Sequence, residues 1–484
     1  MKVLLCLPPG GFVVDKDGLM PASGLPPLGL ASMAAVLEQN GIDVEILDAH
    51  AERLSWKKVR NRIEHSRPDI VGVTLTTETR SRGFELIRVA KQAVPHARIM
   101  AGGPHVSFAA EDTLTHVSPL DVVCRGEGEY TLLETVESLE QGKGFEGIAG
   151  ISYRHDGEVI HNAPRPFIED LDALPVPARH LLDMKRYRGF EVDLPGRGKT
   201  AFTNIQSSRG CPIGCCFCSA SAMWGKRFRA RSPLLVVQEI ESVVEDHGVR
   251  GVWFFDDSFA MNKGRVHAIC DLMLDRGLDV SWFCDARVDT VDPPLLKKMK
   301  EAGCHGISFG VETGSARLLD EVLGKHITLD RVRDVKRWCE RTGIRARWLF
   351  MVGLPTETRE EALETLDLMA ELGGDTSLGV LKVYPGTPVE RLARERGILP
   401  APFTWTRASK NRVAAMPTVA GDAPLFLDTL SWKDIAEILL RYAEMNRYPI
   451  RDRVLSALLR IRSPGEMKRL LTMGIIYTKR RLGC

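Results

Sequence analysis

The chain has 484 residues, enough for two or three buried cores, and its 44% hydrophobic and 26% charged residues exclude the disordered and fibrous classes. A formal net charge of +2, from 65 basic and 63 acidic side chains, gives no general drive toward nucleic acid, and no apolar run reaches the ~18–20 residues of a bilayer span. Eleven cysteines in a chain this long do not make a disulfide framework, and the apolar start breaks at Pro8-Pro9 too early for a signal peptide, so a cytoplasmic protein is expected.

The first strand is expected over residues 2–7, ending at Pro8-Pro9-Gly10-Gly11, with a helix over 28–39 that stops at Asn40-Gly41. Further strands are expected at 44–47, closed by Asp48, and at 70–75, followed by Thr76-Thr77. A helix crosses 82–93, and strand 98–101 runs into Gly102-Gly103-Pro104-His105. Strand 122–124 runs into Arg125-Gly126-Glu127-Gly128-Glu129. This alternation predicts a doubly wound, Rossmann-like parallel sheet over 1–149, with its ligand at the C-terminal ends of the strands. No G-x-G-x-x-G follows the first strand, which disfavours a dinucleotide. Residues 150–198 read as a connector, with a hairpin pairing 151–154 with 158–162 around Asp156-Gly157 and a Pro-rich stretch at 174–177.

Four cysteines then fall within eight residues, in S-S-R-G-C-P-I-G-C-C-F-C. Cys211, Cys215 and Cys218 form C-x3-C-x2-C, a tight loop able to present three thiolates to one iron–sulfur cluster and leave one iron open. Zinc and plain structural thiols are the competing readings. Closed zinc sites want four ligands, and no second Cys/His pair has that spacing. Gly210, Pro212 and Gly214 suit the tight backbone, while Cys216 has the wrong spacing and reads as a packing residue.

Around and beyond this loop the pattern is strand 200–206, a helix opened by Ser232-Pro233, strand 251–255, strand 280–284, helix 293–302, strand 306–310, helix 315–324, strand 345–352, helix 358–372 and strand 378–383. Six strands alternating with helices predict a partial (β/α)6 barrel of the TIM type over 199–400, whose chemistry gathers at the C-terminal strand ends. Those ends carry Asp256-Asp257, Asp285 and Arg287, Glu312 and Ser315, Gly353 with Glu357, and Tyr384-Pro385-Gly386-Thr387-Pro388. Taken singly, such residues also cap helices or pair with exposed acids.

The cysteine loop, followed in order by D-D-x-F, G-x-E-x-G-S, G-x-P-x-E and Y-P-G-T-P, resembles the radical S-adenosylmethionine (SAM) superfamily over about residues 198–400. The resemblance implies a 4Fe-4S cluster on Cys211, Cys215 and Cys218, its open iron chelating SAM, and reductive cleavage to a 5′-deoxyadenosyl radical. It implies that Asp256 or Asp257 holds the SAM amino group and that Glu312 sits near the ribose; by side-chain chemistry Arg287 can take the SAM carboxylate, and Ser315 and Gly353 are further cofactor-binding candidates. The first half is similar to the cobalamin-binding domain fused ahead of many radical SAM domains, with its G-G-x-H and G-E-G-E turns beside the corrin. Implied cobalamin contacts are Pro9, Gly10, Asp48, Thr76, Gly102, Gly103, His105, Gly126, Glu127 and Gly128. Asp48-Ala49-His50 follows the second strand and has Arg53 where a cobalt-binding D-x-H-x-x-G motif needs glycine, so His50 is rejected as a ligand.

Together the two halves resemble cobalamin-dependent radical SAM enzymes. The commonest activity there is C-methylation of an unactivated carbon, with methylcobalamin as donor. The anaerobic magnesium-protoporphyrin monomethyl ester cyclases, which share the domain order but close a ring, are the alternative, and a silent cobalamin sensor or carrier is a third reading. An external electron donor such as flavodoxin or ferredoxin is implied. The segment 401–484 is expected to be helical, with a stripe of Trp432, Ile435, Ile438, Leu439 and Tyr442. From Arg453 onward eight Lys or Arg face one acid, Glu466, which reads as a solvated helix face or as contact with a membrane surface, a lipid or a carboxylated tetrapyrrole substrate.

Overall fold

The computed structural model describes residues 1–10, 12–15, 18–21, 24–187, 191–194, 198–406 and 423–446. Two seven-stranded sheets carry the architecture. In the first, Asp43–Asp48, Lys2–Leu7, Ile70–Thr74, Arg98–Gly102 and Val122–Cys124 run parallel in that spatial order. Ile151–His155 and Glu158–His161 continue it antiparallel beyond Val122–Cys124. The hairpin expected within a connector therefore belongs to the first sheet. It covers an edge that would otherwise present unpaired backbone groups.

The strands are near-continuous apolar runs because helices cover both faces. Val3 and Leu5 pack with Leu30, Ala34, Leu132 and Val136 of helices Leu28–Gln39 and Glu129–Glu140. Leu4 and Cys6 point the other way, onto Val59, Ile63, Phe84 and Ile87 of Trp56–Ser66 and Arg80–Ala93. Alternating burial along one strand thus builds two cores.

In the second sheet Glu191–Leu194 is antiparallel to Gly198–Ile205. Gly251–Phe254, Ser281–Ala286, Cys304–Glu312, Arg345–Val352 and Asp375–Val380 follow, all parallel and in chain order. This is a partial barrel, and Phe254, Phe259, Trp282, Phe309 and Trp348 lie in the core it shares with the surrounding helices. Helix Pro233–His247 starts where Ser232 accepts from the Leu235 amide and Pro233 needs no donor, and it ends at Gly248 with φ +65°. The helix expected over 315–324 is present from residue 316 and widens over Leu318–Val322, where Leu323 N bonds to Leu318 O. The wide turn delivers Lys325 back to the strand end, where its ammonium meets Gly310 O and Glu312.

Helix Trp432–Met445 buries Ile435, Ile438, Leu439 and Tyr442, and Tyr442 Oη donates to Thr376 O at 2.8 Å. The basic stretch from Arg453 onward lies outside the described residues. Among those described, no helix is long and apolar enough to cross a membrane.

Candidate functional site

The C-terminal strand ends of the first sheet face the cysteine loop of the second domain across a cavity of about 430 Å³. One wall is Thr74, Gly102, Gly103, Gly126, Glu127 and Gly128. The opposite wall is Cys218, Ser219, Ala220, Met223, Trp224 and Asp257, over an apolar floor that includes Leu5, Leu30, Met33 and Met100. Small residues are needed here. At Gly103, with φ +99°, a Cβ would stand 2.7 Å from Leu75 O, and at Gly128 it would stand 2.8 Å from Met33 Sδ. Ser107 ties the two glycine turns together, donating from Oγ to Gly103 O at 2.9 Å and accepting from Gly126 N at 3.0 Å.

Five of the implied cobalamin contacts line this cavity: Gly102, Gly103, Gly126, Glu127 and Gly128. Pro9, Gly10, Asp48, Thr76 and His105 do not. Pro9 offers its carbonyl to Arg82 Nη1 at 2.8 Å. Gly10 makes room for His50, whose Nδ1 lies 1.3 Å from where a Cβ would be. Asp48 is a turn cap: Oδ1 accepts from the His50 and Ala51 amides, and Oδ2 from Tyr187 Oη. Thr76 is exposed and bonded to Thr79, and Thr74, two residues earlier at the strand end, takes the wall. His105 is fully buried against Phe84 and Trp405, with Nδ1 3.1 Å from Thr77 Oγ1. Burial, aided by the Arg80 charge, lowers its pKa to about 3, so the ring is neutral. Glycine spacing locates the turns, but which side chains of a turn face in depends on the helix that follows.

The cysteine loop leaves the barrel after Gly198–Ile205 and is closed at its neck by the pair Ser208–Arg209 and Arg229–Ala230. Gly210 has φ +92°, and a Cβ there would stand 2.2 Å from Arg227 O. Cys211, Cys215 and Cys218 are half-buried free thiols. Cys218 N donates to Cys215 O at 3.1 Å, and the Ala220 amide points at Cys218 Sγ from 3.4 Å. Cys216 turns into the barrel core, and its carbonyl accepts from Val389 N. Among the described residues, no group of three or more His, Cys, Asp or Glu is arranged to hold a single metal ion. Three free thiols on one glycine-hinged loop, with an amide aimed at one sulfur, fit the donor set of an iron–sulfur cluster. Burial raises the Cys215 thiol pKa and Glu312 adds to that; the Lys325 and Arg287 charges oppose the rise without reversing it.

The barrel mouth beside the loop is built from buried charges. Asp256 accepts from Ser207 N at 2.7 Å and from the Ser207 and Ser208 hydroxyls at 2.6 Å each. Both its oxygens are committed to holding the loop's root. Asp257 is the member of the pair on the cavity wall. It accepts from Gly210 N at 3.1 Å, and burial raises its pKa to about 6. Glu312 sits on a strand irregularity with φ +80°, a strained conformation for a non-glycine residue. Its Oε1 accepts from Lys325 Nζ at 2.6 Å, and Gly310 is glycine because a Cβ would stand 2.4 Å from that oxygen. Arg287 donates two bonds to Asp289 and one to Lys325 O. Ser315 donates to Glu361 at 2.8 Å and accepts from Leu318 N, so it caps the wide turn. Gly353, with φ +84°, gives its amide to the buried Glu357. The sequence reading did not single out Lys325, Trp224, Arg209 or Arg229. Arg209 had a local signal, standing two residues before the first cysteine of the loop.

Two family models match the chain: the B12 binding domain over residues 21–136 and the radical SAM superfamily over residues 205–369. A protein of Pyrococcus horikoshii named as an uncharacterized methyltransferase is 36% identical over 400 residues, spanning 82% of this chain and 84% of that one. The anaerobic magnesium-protoporphyrin IX monomethyl ester cyclase of Rubrivivax gelatinosus is 30% identical over 383 residues, spanning 78% and 67%. A solved structure of the radical SAM methyltransferase TsrM of Kitasatospora setae, with cobalamin and a 4Fe-4S cluster bound, superposes with a TM-score of 0.67 at 21% identity, covering 83% of this chain and 76% of that one.

Proposed function

The chain belongs to the radical SAM enzymes that carry a B12-binding domain ahead of the barrel, and from that premise we propose that it is a C-methyltransferase acting on an unactivated carbon of a small molecule. Its cofactors are a 4Fe-4S cluster, SAM and cobalamin. When bound, these supply one-electron cleavage of SAM and a transferable methyl group. The observation that carries the reading is the shared cavity, with the glycine turns of one domain facing Cys218 and Asp257 of the other.

The chain's own residues bind, orient and shield. Cys211, Cys215 and Cys218 are assigned to the cluster. Asp257 is assigned to the SAM ammonium, because Asp256 is buried with both oxygens bonded to the loop's root and Asp257 faces the cavity. Glu312 and Arg287, whose charges are felt at Cys215, are assigned to the ribose and the carboxylate of SAM, Arg287 exchanging its exposed partner Asp289 for that carboxylate. Gly102, Gly103, Gly126 and Gly128 let a flat macrocycle lie against backbone. Among the described residues, no histidine lines the cavity. A lipid or a carboxylated tetrapyrrole is the substrate class proposed, and a flavodoxin or ferredoxin the electron donor.

Anaerobic reconstitution is expected to give about four irons per chain and 5′-deoxyadenosine under reduction. Cys211→Ala is expected to lose both, and full SAM cleavage in that variant would remove the assignment. In a host fed methyl-labelled methionine, wild type but not Cys211→Ala is expected to yield a labelled product one methyl heavier than its precursor. Ring closure with added oxygen would support the cyclase reading, which the Rubrivivax relative favours. Cobalamin binding with no SAM cleavage would leave a carrier or sensor.

A further inference from the structure

The neck of the cysteine loop is a two-rung antiparallel ladder in which Arg209 stands opposite Arg229. Both arginines cross the domain boundary to the same carboxylate. Arg209 Nη1 donates to Glu127 Oε1 at 2.8 Å, and Arg229 Nη1 donates to Oε1 and Oε2 of Glu127 at 2.9 and 3.1 Å. Arg209 Nη2 donates to Glu129 Oε1 at 2.6 Å. The four side chains are each at most 6% exposed, and two guanidinium charges balance two carboxylates. Glu127 and Glu129 line the cavity, whereas neither arginine does. On the loop side the arginines hold Trp224: Arg229 Nη2 donates to its carbonyl at 2.7 Å, and the Arg209 guanidinium lies 5.0 Å from its ring centroid. Trp224 is itself part of the cavity wall.

One buried network therefore joins both walls of the cavity at the root of the loop that carries the three thiols. A glycine-hinged thiol loop gains order from the metal it holds, and this loop supplies Cys218, Ser219, Ala220, Met223 and Trp224 to the corrin-side cavity. We propose that the clamp of Glu127 with Arg209 and Arg229 couples the two cofactor sites, so that an occupied cysteine loop tightens cobalamin binding and bound cobalamin stabilises the cluster. By linkage the two effects are the same factor. Arg209 and Arg229 are positioning residues: they act through Glu127 and the loop. The inference rests on the reading of the two sites given above.

The test is an anaerobic absorbance titration of hydroxocobalamin into the full-length protein, with and without reconstituted cluster. In wild type the cluster is expected to lower Kd at least about fivefold. In Arg209→Lys and Arg229→Lys that factor is expected to fall toward one, because a lysine cannot make the two-armed contact. Arg227→Met, on the same loop but in an exposed pair with Glu169, is expected to keep the wild-type factor. The electron paramagnetic resonance signal of the reduced cluster supplies a second readout. It is expected to shift on cobalamin addition in wild type and to stay fixed in the two lysine variants. A factor of one in wild type, or an undiminished factor in both lysine variants, overturns the coupling. The wild-type factor decides alone if neither variant folds. A wild-type protein that binds no cobalamin at all overturns the functional reading instead.

Discussion

The two walls of the cavity are built on different physical principles. The first-domain wall is mostly backbone and small residues, with Glu127 and Glu129 tied to the clamp; Gly103 leaves no room for a methyl group and Ser107 pins one turn to the next. The opposite wall is the cysteine loop with Asp257, and the barrel mouth behind it is built from buried ionisable groups: Asp256, Glu312, Lys325 and Arg287 bond to nearby backbone or side chains, and Glu357 accepts the Gly353 and Leu354 amides. The first wall selects by shape and the second by electrostatics. The first should fail when volume is added, and the second when charge or an acceptor is removed.

The largest effect is expected at Asp256. Asp256→Ala leaves three buried donors at Ser207 and Ser208 unsatisfied, and a loss of about 4 kcal/mol in the denaturant stability of the barrel is expected. A smaller loss than that of a glycine substitution on the first wall would break the contrast.

Glu357 sharpens it through pH. Its Oε2 accepts the Gly353 and Leu354 amides, Oε1 has no hydrogen-bond partner among the described residues, and burial raises its pKa to about 7. A carboxyl raised above its unfolded value binds protons more tightly when folded. Its contribution to stability is therefore fully present below about pH 4.5 and is lost as pH rises through about 7. Wild type is expected to lose up to about 3 kcal/mol relative to Glu357→Gln between those limits, read as the difference in their thermal or urea midpoints. Parallel profiles for the two proteins would show that the carboxyl is not held neutral.

On the shape side, Gly103→Ala forces a side chain onto φ +99° and within 2.7 Å of Leu75 O. A cost of about 2 kcal/mol in first-domain stability is expected, with cobalamin affinity reduced at least about tenfold in the same absorbance titration. Ser107→Ala removes a single bridging hydroxyl, and about 1 kcal/mol is expected, with a smaller weakening of cobalamin binding. Equal effects of these two substitutions on cobalamin would mean that the wall is set by hydrogen bonding rather than by volume.

The sequence alone determined what local rules reach. Strands and helices came from apolar periodicity and capping, as at Ser232-Pro233 and residues 28–39, which form Leu28–Gln39 as expected. The thiol triad came from spacing and the glycine turns from composition. Which of Asp256 and Asp257 holds the loop's root was decided only by the tertiary structure, because both carboxylates have the same local chemistry and only the fold puts Ser207 and Ser208 against one of them. The same holds for His105, which a neighbouring helix and Trp405 draw away from the cavity, and for Lys325, which a wide turn returns to Glu312. The clamp of Glu127 with Arg209 and Arg229 spans 82 and 102 residues of chain. Contacts at such separation are fixed by how two cores pack against each other, and no local pattern of residues encodes that.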